Sequence, residues 1–197
     1  MRATAEPAKE RMDAFGPLLG LVAIMWIAEM VDVVLGGRLD GLGIEPRDTE
    51  GLVGVVLAPF LHAGFGHLIA NTIPLLLMGF AIALSGLARV VAVTVIVALV
   101  SGLGTWLIAA AGTVHIGASG LVFGYATYLI SRGIFSRNLV HLALGGVIVL
   151  VFGTVLLGGL LPEEGVSWQA HLFGAIGGVL AARLLTPDRK RPAIASA

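Results

Sequence analysis

Six apolar blocks, each close to the length that carries a helix across a bilayer, restrict this chain more than any other feature of it. They cover residues 14–35, 67–85, 89–111, 117–131, 139–160 and 168–186. Lipid offers no partner to a free backbone N–H or C=O, so every block is expected to be a helix. Charged residues make up 12% of the chain and hydrophobic ones 57%, against about 25% charged in soluble domains, which leaves too little polar surface to coat a soluble fold. The expectation is an all-α, polytopic membrane protein: one domain over residues 1–197, with a core at about 14–186 and short cytoplasmic tails at 1–13 and 187–197. The stretch "GLVGVVLAPFL" at 51–61 is too short to cross and reads as interfacial or re-entrant within a long first outer loop.

Lys and Arg test the span count, because cytoplasmic loops carry an excess of them. One side receives Arg2, Lys9, Arg11, Arg89, Arg132, Arg137, Arg183, Arg189, Lys190 and Arg191, and the other only Arg38 and Arg47. This split puts both termini in the cytoplasm. The basic start followed by apolar residues 14–28 has the outline of a signal peptide. A retained anchor fits better, since apolar character resumes past Glu29 and Asp32 to Leu35 and further spans follow.

Several function classes drop out at once. The formal net charge is +0 and no basic block is interleaved with aromatics, so nucleic acid is not an expected partner. Without cysteine there are no disulfides, thiolate metal sites or cysteine nucleophile. No HExxH motif exists, and His62 and His67 are five apart, off a common helical face, so no metal is expected. An aspartyl protease needs two buried aspartates, and Asp32 alone is a candidate; Glu29 and Asp32 suit a pairing role.

Polar residues inside spans are costly and therefore functional candidates. Counting back from the cytoplasmic ends at the ~1.5 Å rise of a helix, Ser119 lies about 20 Å, His171 about 18 Å and Asn71 about 21 Å deep. Three polar groups from three helices thus share one level, roughly 10 Å below the outer surface of a ~30 Å core. His67 is one turn above Asn71 on the same face. Gly120 and Gly124 follow Ser119, and Gly174 and Gly178 follow His171, at the spacing that lets helices approach closely in lipid. Taken singly, the glycines suit plain packing, the serine a bond to a carbonyl one turn back, and Asn71 a bond to a neighbouring helix. His171 alone suits a packed core histidine.

In that order, "HAGFGHLIAN" (62–71), "GASG" (117–120) and "AHLFGAIGG" (170–178) resemble the rhomboid intramembrane serine proteases. The resemblance covers the six-helix core. It implies that Ser119 is the nucleophile and His171 the general base, a pair without a carboxylate, with His67 and Asn71 helping to stabilise the oxyanion. Phe123 stands at the aromatic position, more often tyrosine, on which the imidazole stacks. The Trp-Arg pair that some members carry in the first loop is absent, although Arg38 and Arg47 are near. The resemblance also implies single-span membrane proteins as substrates, with loop 161–167, "LPEEGVS", and the fifth helix governing their access.

The chemistry fits those residue types. A serine hydroxyl becomes nucleophilic when a base takes its proton, and imidazole titrates in the right range. At the start of a helix, the N–H groups of Ser119 and Gly120 face a developing oxyanion, the glycines around the serine leave room for substrate backbone, and Gly117 joins Gly124, Gly174 and Gly178 as a helix-packing position. No cofactor is needed. His115 is a rival base near Ser119 but belongs to an outer loop, His62 suits a structural role in the loop entering the second helix, and His141 falls at the cytoplasmic end of the fifth. A transporter that binds a small solute at the same level, and a non-catalytic relative that binds membrane clients, remain as other readings. The expected setting is a bacterial plasma membrane, with the site opening outward.

Overall fold

A computed structural model describes residues 13–186; apart from Asp13, the two expected tails, with Arg2, Lys9, Arg11, Arg189, Lys190 and Arg191, lie outside the described residues. Six long helices follow one another: α1 (Phe15–Leu35), α2 (Phe65–Ala83), α3 (Leu87–Ile108), α4 (Ser119–Ser136), α5 (Leu139–Gly158) and α6 (Trp168–Leu185). Among the described residues there is no strand, only one antiparallel bridge between Ile44 and His115. The six expected blocks are all helical, and their ends agree to within a few residues except at α4, which runs on to Ser136. In its added turn Arg132 donates to the Ser85 hydroxyl at 2.7 Å.

By length and composition α1, α2, α3 and α5 can each cross a membrane. The other two owe their place to their neighbours. α4 sits in the middle of the bundle, packed on α2, α3, α5 and α6, and most of its side chains are buried. α6 lies against α4 and α3. A Cβ on Gly174 would run into the carbonyl oxygen of Gly120, and one on Gly178 into the carbonyl oxygen of Gly124 and the Thr127 hydroxyl. Side chains there would force the helices apart, so the glycine spacing is what allows this backbone contact. Thr127 then donates across the seam to the carbonyl of Ala175 at 2.8 Å.

α5 is the loosest helix, packing extensively on α4 alone. It buries only Gly145 and Ile148 and turns Val147, Leu150 and Val151 outward, the all-round apolar character of a helix that faces lipid. The long first connection, residues 36–64, is built from short helical turns at Asp40–Leu42 and Glu50–Phe60. Its 51–61 stretch forms no span, in keeping with its length. Arg47 anchors the loop, with its guanidinium on the carbonyls of Leu107 and Ala109 at the end of α3. The Trp106 indole donates back to the carbonyl of Asp48 at 2.7 Å. A cation on the last carbonyls of a helix is a favourable cap, so an Arg from the loop and a Trp from α3 do the fastening here.

Candidate active site

Ser119 is the first residue of α4, preceded by the tight segment "IGA". Gly117 there has φ +110°, a conformation glycine alone adopts easily. A Cβ on it would also lie 2.8 Å from Cε1 and 2.9 Å from Nε2 of His67, with Asn71 Nδ2 at 3.9 Å. His67 and Asn71 therefore both face the turn that delivers Ser119, as their shared helical face requires. The turn is pinned from outside. Gly117 N–H donates to the carbonyl of Ala58 at 2.8 Å, and Ala118 N–H to Nε2 of His62 at 3.3 Å.

His62 thus serves the turn before Ser119 and not merely the entry to α2. Its ring meets that of His67 edge-on at 5.1 Å, because α2 begins only at Phe65 and helical spacing does not govern His62. Burial pushes the His62 imidazole down to about 4, so it is neutral and free to accept a hydrogen bond. No cluster of metal-ligating side chains forms among the described residues.

Ser119 Oγ lies 2.8 Å from Nε2 of His171. The other ring nitrogen, Nδ1, is 2.6 Å from the carbonyl oxygen of Gly159, at the end of α5. A carbonyl only accepts, so Nδ1 carries the proton and Nε2 presents its lone pair to the serine hydroxyl. The ring stacks on Phe123 with centroids 4.1 Å apart and planes 4° apart. Phe123 is one turn beyond Ser119 on α4, where it supports the imidazole from below. This geometry permits proton transfer from Ser119 to His171 without any change of tautomer. Asn71 Nδ2 at present donates to the carbonyl of His67, at 3.0 Å.

The cavity in front of these groups has a volume of about 890 Å³. Ser119, His171, His67, Asn71 and Phe123 all line it, and it continues between Pro74 and Met78 of α2 and Phe152, Val155 and Leu156 of α5. Val166 and Ser167, from the loop before α6, line it as well.

A model of the Rhomboid domain matches residues 49–188. This chain belongs to the rhomboid family. Relatives extend over most of this rhomboid's length: an uncharacterized protein of Mycobacterium tuberculosis is 48% identical over 90% of the chain and 78% of its own. One from Mycobacterium leprae is 44% identical over 91% and 75%. A Bacillus subtilis protein named "Putative rhomboid protease YdcA" is 28% identical over 88% and 89%. The family and the apolar helices make this rhomboid an integral membrane protein of a family of intramembrane serine proteases.

Other candidates from the sequence sit elsewhere or act otherwise. His115 lines the same cavity, but both its nitrogens are engaged, by Thr113 and Ser167. His141 is in the first turn of α5, 3.1 Å from the Ser136 hydroxyl. Asp32 pairs with backbone, accepting from Leu39 N–H at 2.6 Å, whereas Glu29 Oε2 is buried without a hydrogen-bond partner among the described residues. Sequence reasoning missed the Gly159 carbonyl, since any residue has one and only the meeting of α5 with α6 singles it out. The clue was the Gly158–Gly159 pair. A Cβ on Gly159 would stand 2.6 Å from Phe123 Cζ and 3.0 Å from His171 Nδ1.

Proposed function

We propose that this rhomboid is a serine endopeptidase that hydrolyses peptide bonds in or near the transmembrane segments of other membrane proteins. The observation that carries the proposal is the 2.8 Å approach of Ser119 Oγ to a His171 whose proton is held on its far nitrogen, inside a cavity large enough for peptide. Ser119 attacks the scissile carbonyl as Nε2 of His171 takes its proton, the resulting imidazolium gives that proton to the leaving amine, and water, deprotonated in turn by His171, cleaves the acyl ester and frees Ser119. The Gly159 carbonyl takes the orienting part that a carboxylate plays in a triad. The N–H groups of Ser119 and Gly120, with Asn71 and His67 opposite, stabilise the tetrahedral oxyanion.

Substrates are single-span proteins that enter from the bilayer between α2 and α5, the side on which α5 has least packing to lose. Water reaches the site from the outer end, past the loop over residues 161–167. The charge asymmetry of the loops supports cytoplasmic termini and a site that opens outward, in a bacterial plasma membrane. Residues 14–186 act as one domain, and no cofactor enters the mechanism.

Co-expression with a panel of tagged single-span proteins tests the reading. The wild type yields a shortened fragment that Ser119→Ala and His171→Ala do not produce, and a fluorophosphonate labels Ser119 in the wild type alone. Cleavage by either variant at the normal rate removes the assignment.

A further inference from the structure

A second serine–histidine pair lies one turn outward from the first. Nδ1 of His115 is 2.7 Å from Ser167 Oγ, beside the 2.8 Å contact of Ser119 with His171. Both contacts join residues 52 apart, and the residue types are exchanged: His115 comes four before Ser119, and Ser167 four before His171. We infer that His115 and Ser167 form a positioning brace that holds the first turn of α6 against the turn before α4, and so sets the distance between Ser119 and His171. The inference rests on the reading of those two residues as the reacting pair.

The proton positions follow from neighbouring groups. Thr113 gives its one hydroxyl proton to the carbonyl of Ala110 at 2.6 Å. It therefore accepts at its 2.8 Å contact with His115, whose Nε2 must carry the proton. That leaves Nδ1 as the acceptor for the Ser167 hydroxyl. The two histidines are consequently opposite tautomers, His115 protonated on Nε2 and His171 on Nδ1.

Ser167 occupies the N-cap of α6, where a serine ordinarily accepts from its own helix, yet its side chain makes no capping bond. The side chain is turned instead toward His115, to which it donates. His115 is in turn fixed, by reciprocal backbone bonds with Ile44 of 2.9 and 3.0 Å, and the same turn is pinned at Gly117 and Ala118. His171 N–H donates to the Ser167 carbonyl at 3.2 Å, so a shift of Ser167 passes directly to the imidazole. Inward of the reacting pair, α4 and α6 are joined by the glycine seam and by Thr127. Outward of it, His115–Ser167 ties these two segments. Removing that tie leaves the first turn of α6 held to α3, where Ser101 donates to the Ala170 carbonyl at 2.8 Å, but no longer tied to the turn that carries Ser119, and small displacements of a reacting group carry large rate penalties.

Kinetics and spectroscopy test the brace separately. Ser167→Ala and His115→Ala should each lower kcat about tenfold with KM changed less than about twofold. The double variant should lose no more than either single one, and Ser167→Thr, which keeps the hydroxyl, should restore the rate. In ¹⁵N spectra of the histidines, the wild type shows the two opposite tautomers. Ser167→Ala moves the His171 Nε2 resonance toward that of an imidazole without a hydrogen bond, and Ser167→Thr leaves it in place. Single variants at the wild-type rate, losses that multiply in the double variant, or a His171 resonance indifferent to Ser167→Ala each overturn the brace. A wild type that neither cuts nor labels overturns the proteolytic reading instead, and the spectra still decide the brace.

Discussion

His171 Nδ1 and the carbonyl oxygen of Gly159 stand 2.6 Å apart, so a backbone oxygen on α5 selects the tautomer that His171 presents to Ser119. Because that oxygen sits at the end of the loosest helix, the state of the imidazole depends on where α5 lies.

Gly159→Ala places a methyl 3.0 Å from Nδ1 and 2.6 Å from the Phe123 ring. The imidazole must tilt out of its stack or leave the carbonyl. The expected result is a kcat reduced by about 10²-fold, the scale of a 1 Å misplacement, with little change in thermal stability in detergent. Steady-state cleavage of a tagged substrate measures it.

Phe123→Leu removes the ring beneath His171, whereas Phe123→Tyr keeps it. A stacked aromatic pair contributes about 1 kcal/mol, so the leucine variant should lose about fivefold in kcat. The tyrosine variant should stay near the wild type. Equal losses in both would mean that the stack is not what supports the imidazole.

Asn71→Ala removes a side-chain donor that faces the turn before Ser119. If Asn71 leaves the His67 carbonyl for the oxyanion, its loss should cost about 3 kcal/mol of transition-state stabilisation, on the order of 10²-fold in kcat. KM should hardly move, and Ser119 should still react with a small fluorophosphonate, though more slowly.

Gly178→Ala drives a methyl into the Gly124 carbonyl and the Thr127 hydroxyl. Separating α6 from α4 should cost about 1–3 kcal/mol, the scale of overpacking a close-packed core. A lowered midpoint for unfolding in mixed detergent micelles would register it, with activity falling in parallel.

Acid should destabilise the fold through His62. Its folded value, near 4, is below that of the unfolded chain, so its contribution is complete above about pH 6.5 and is lost as pH falls from there toward 4, amounting to about 3 kcal/mol. His115, lowered in the same direction by burial, adds to the effect. His62→Asn should flatten the dependence of unfolding on pH across that window.

The helices were legible because hydropathy is a local property that lipid enforces residue by residue. Even there, α4 outran its expected end by one turn, closing at Ser136 where Arg137 takes a left-handed conformation. Gly120, Gly124, Gly174 and Gly178 announced a close seam, and the common depth of Ser119, His171 and Asn71 followed from counting residues along helices. The structural role of His62 was legible, but its reach to the turn before Ser119 was not, because its partner, the Ala118 amide, is 56 residues away. His115 is a loop residue, as its position implied, but its pairing with Ser167, 52 positions on, was hidden for the same reason.

By itself, then, the sequence determined that the chain lives in a membrane, where its helices run, and which polar side chains share a level. Tertiary structure alone decided which nitrogen of His171 carries the proton, which carbonyl receives it, and how α6 meets the turn before Ser119. The division has a physical cause. Transfer into lipid depends on the composition of a short segment, whereas a hydrogen bond between helices depends on their rotation and spacing to within a few tenths of an ångström, which only the packed neighbours fix.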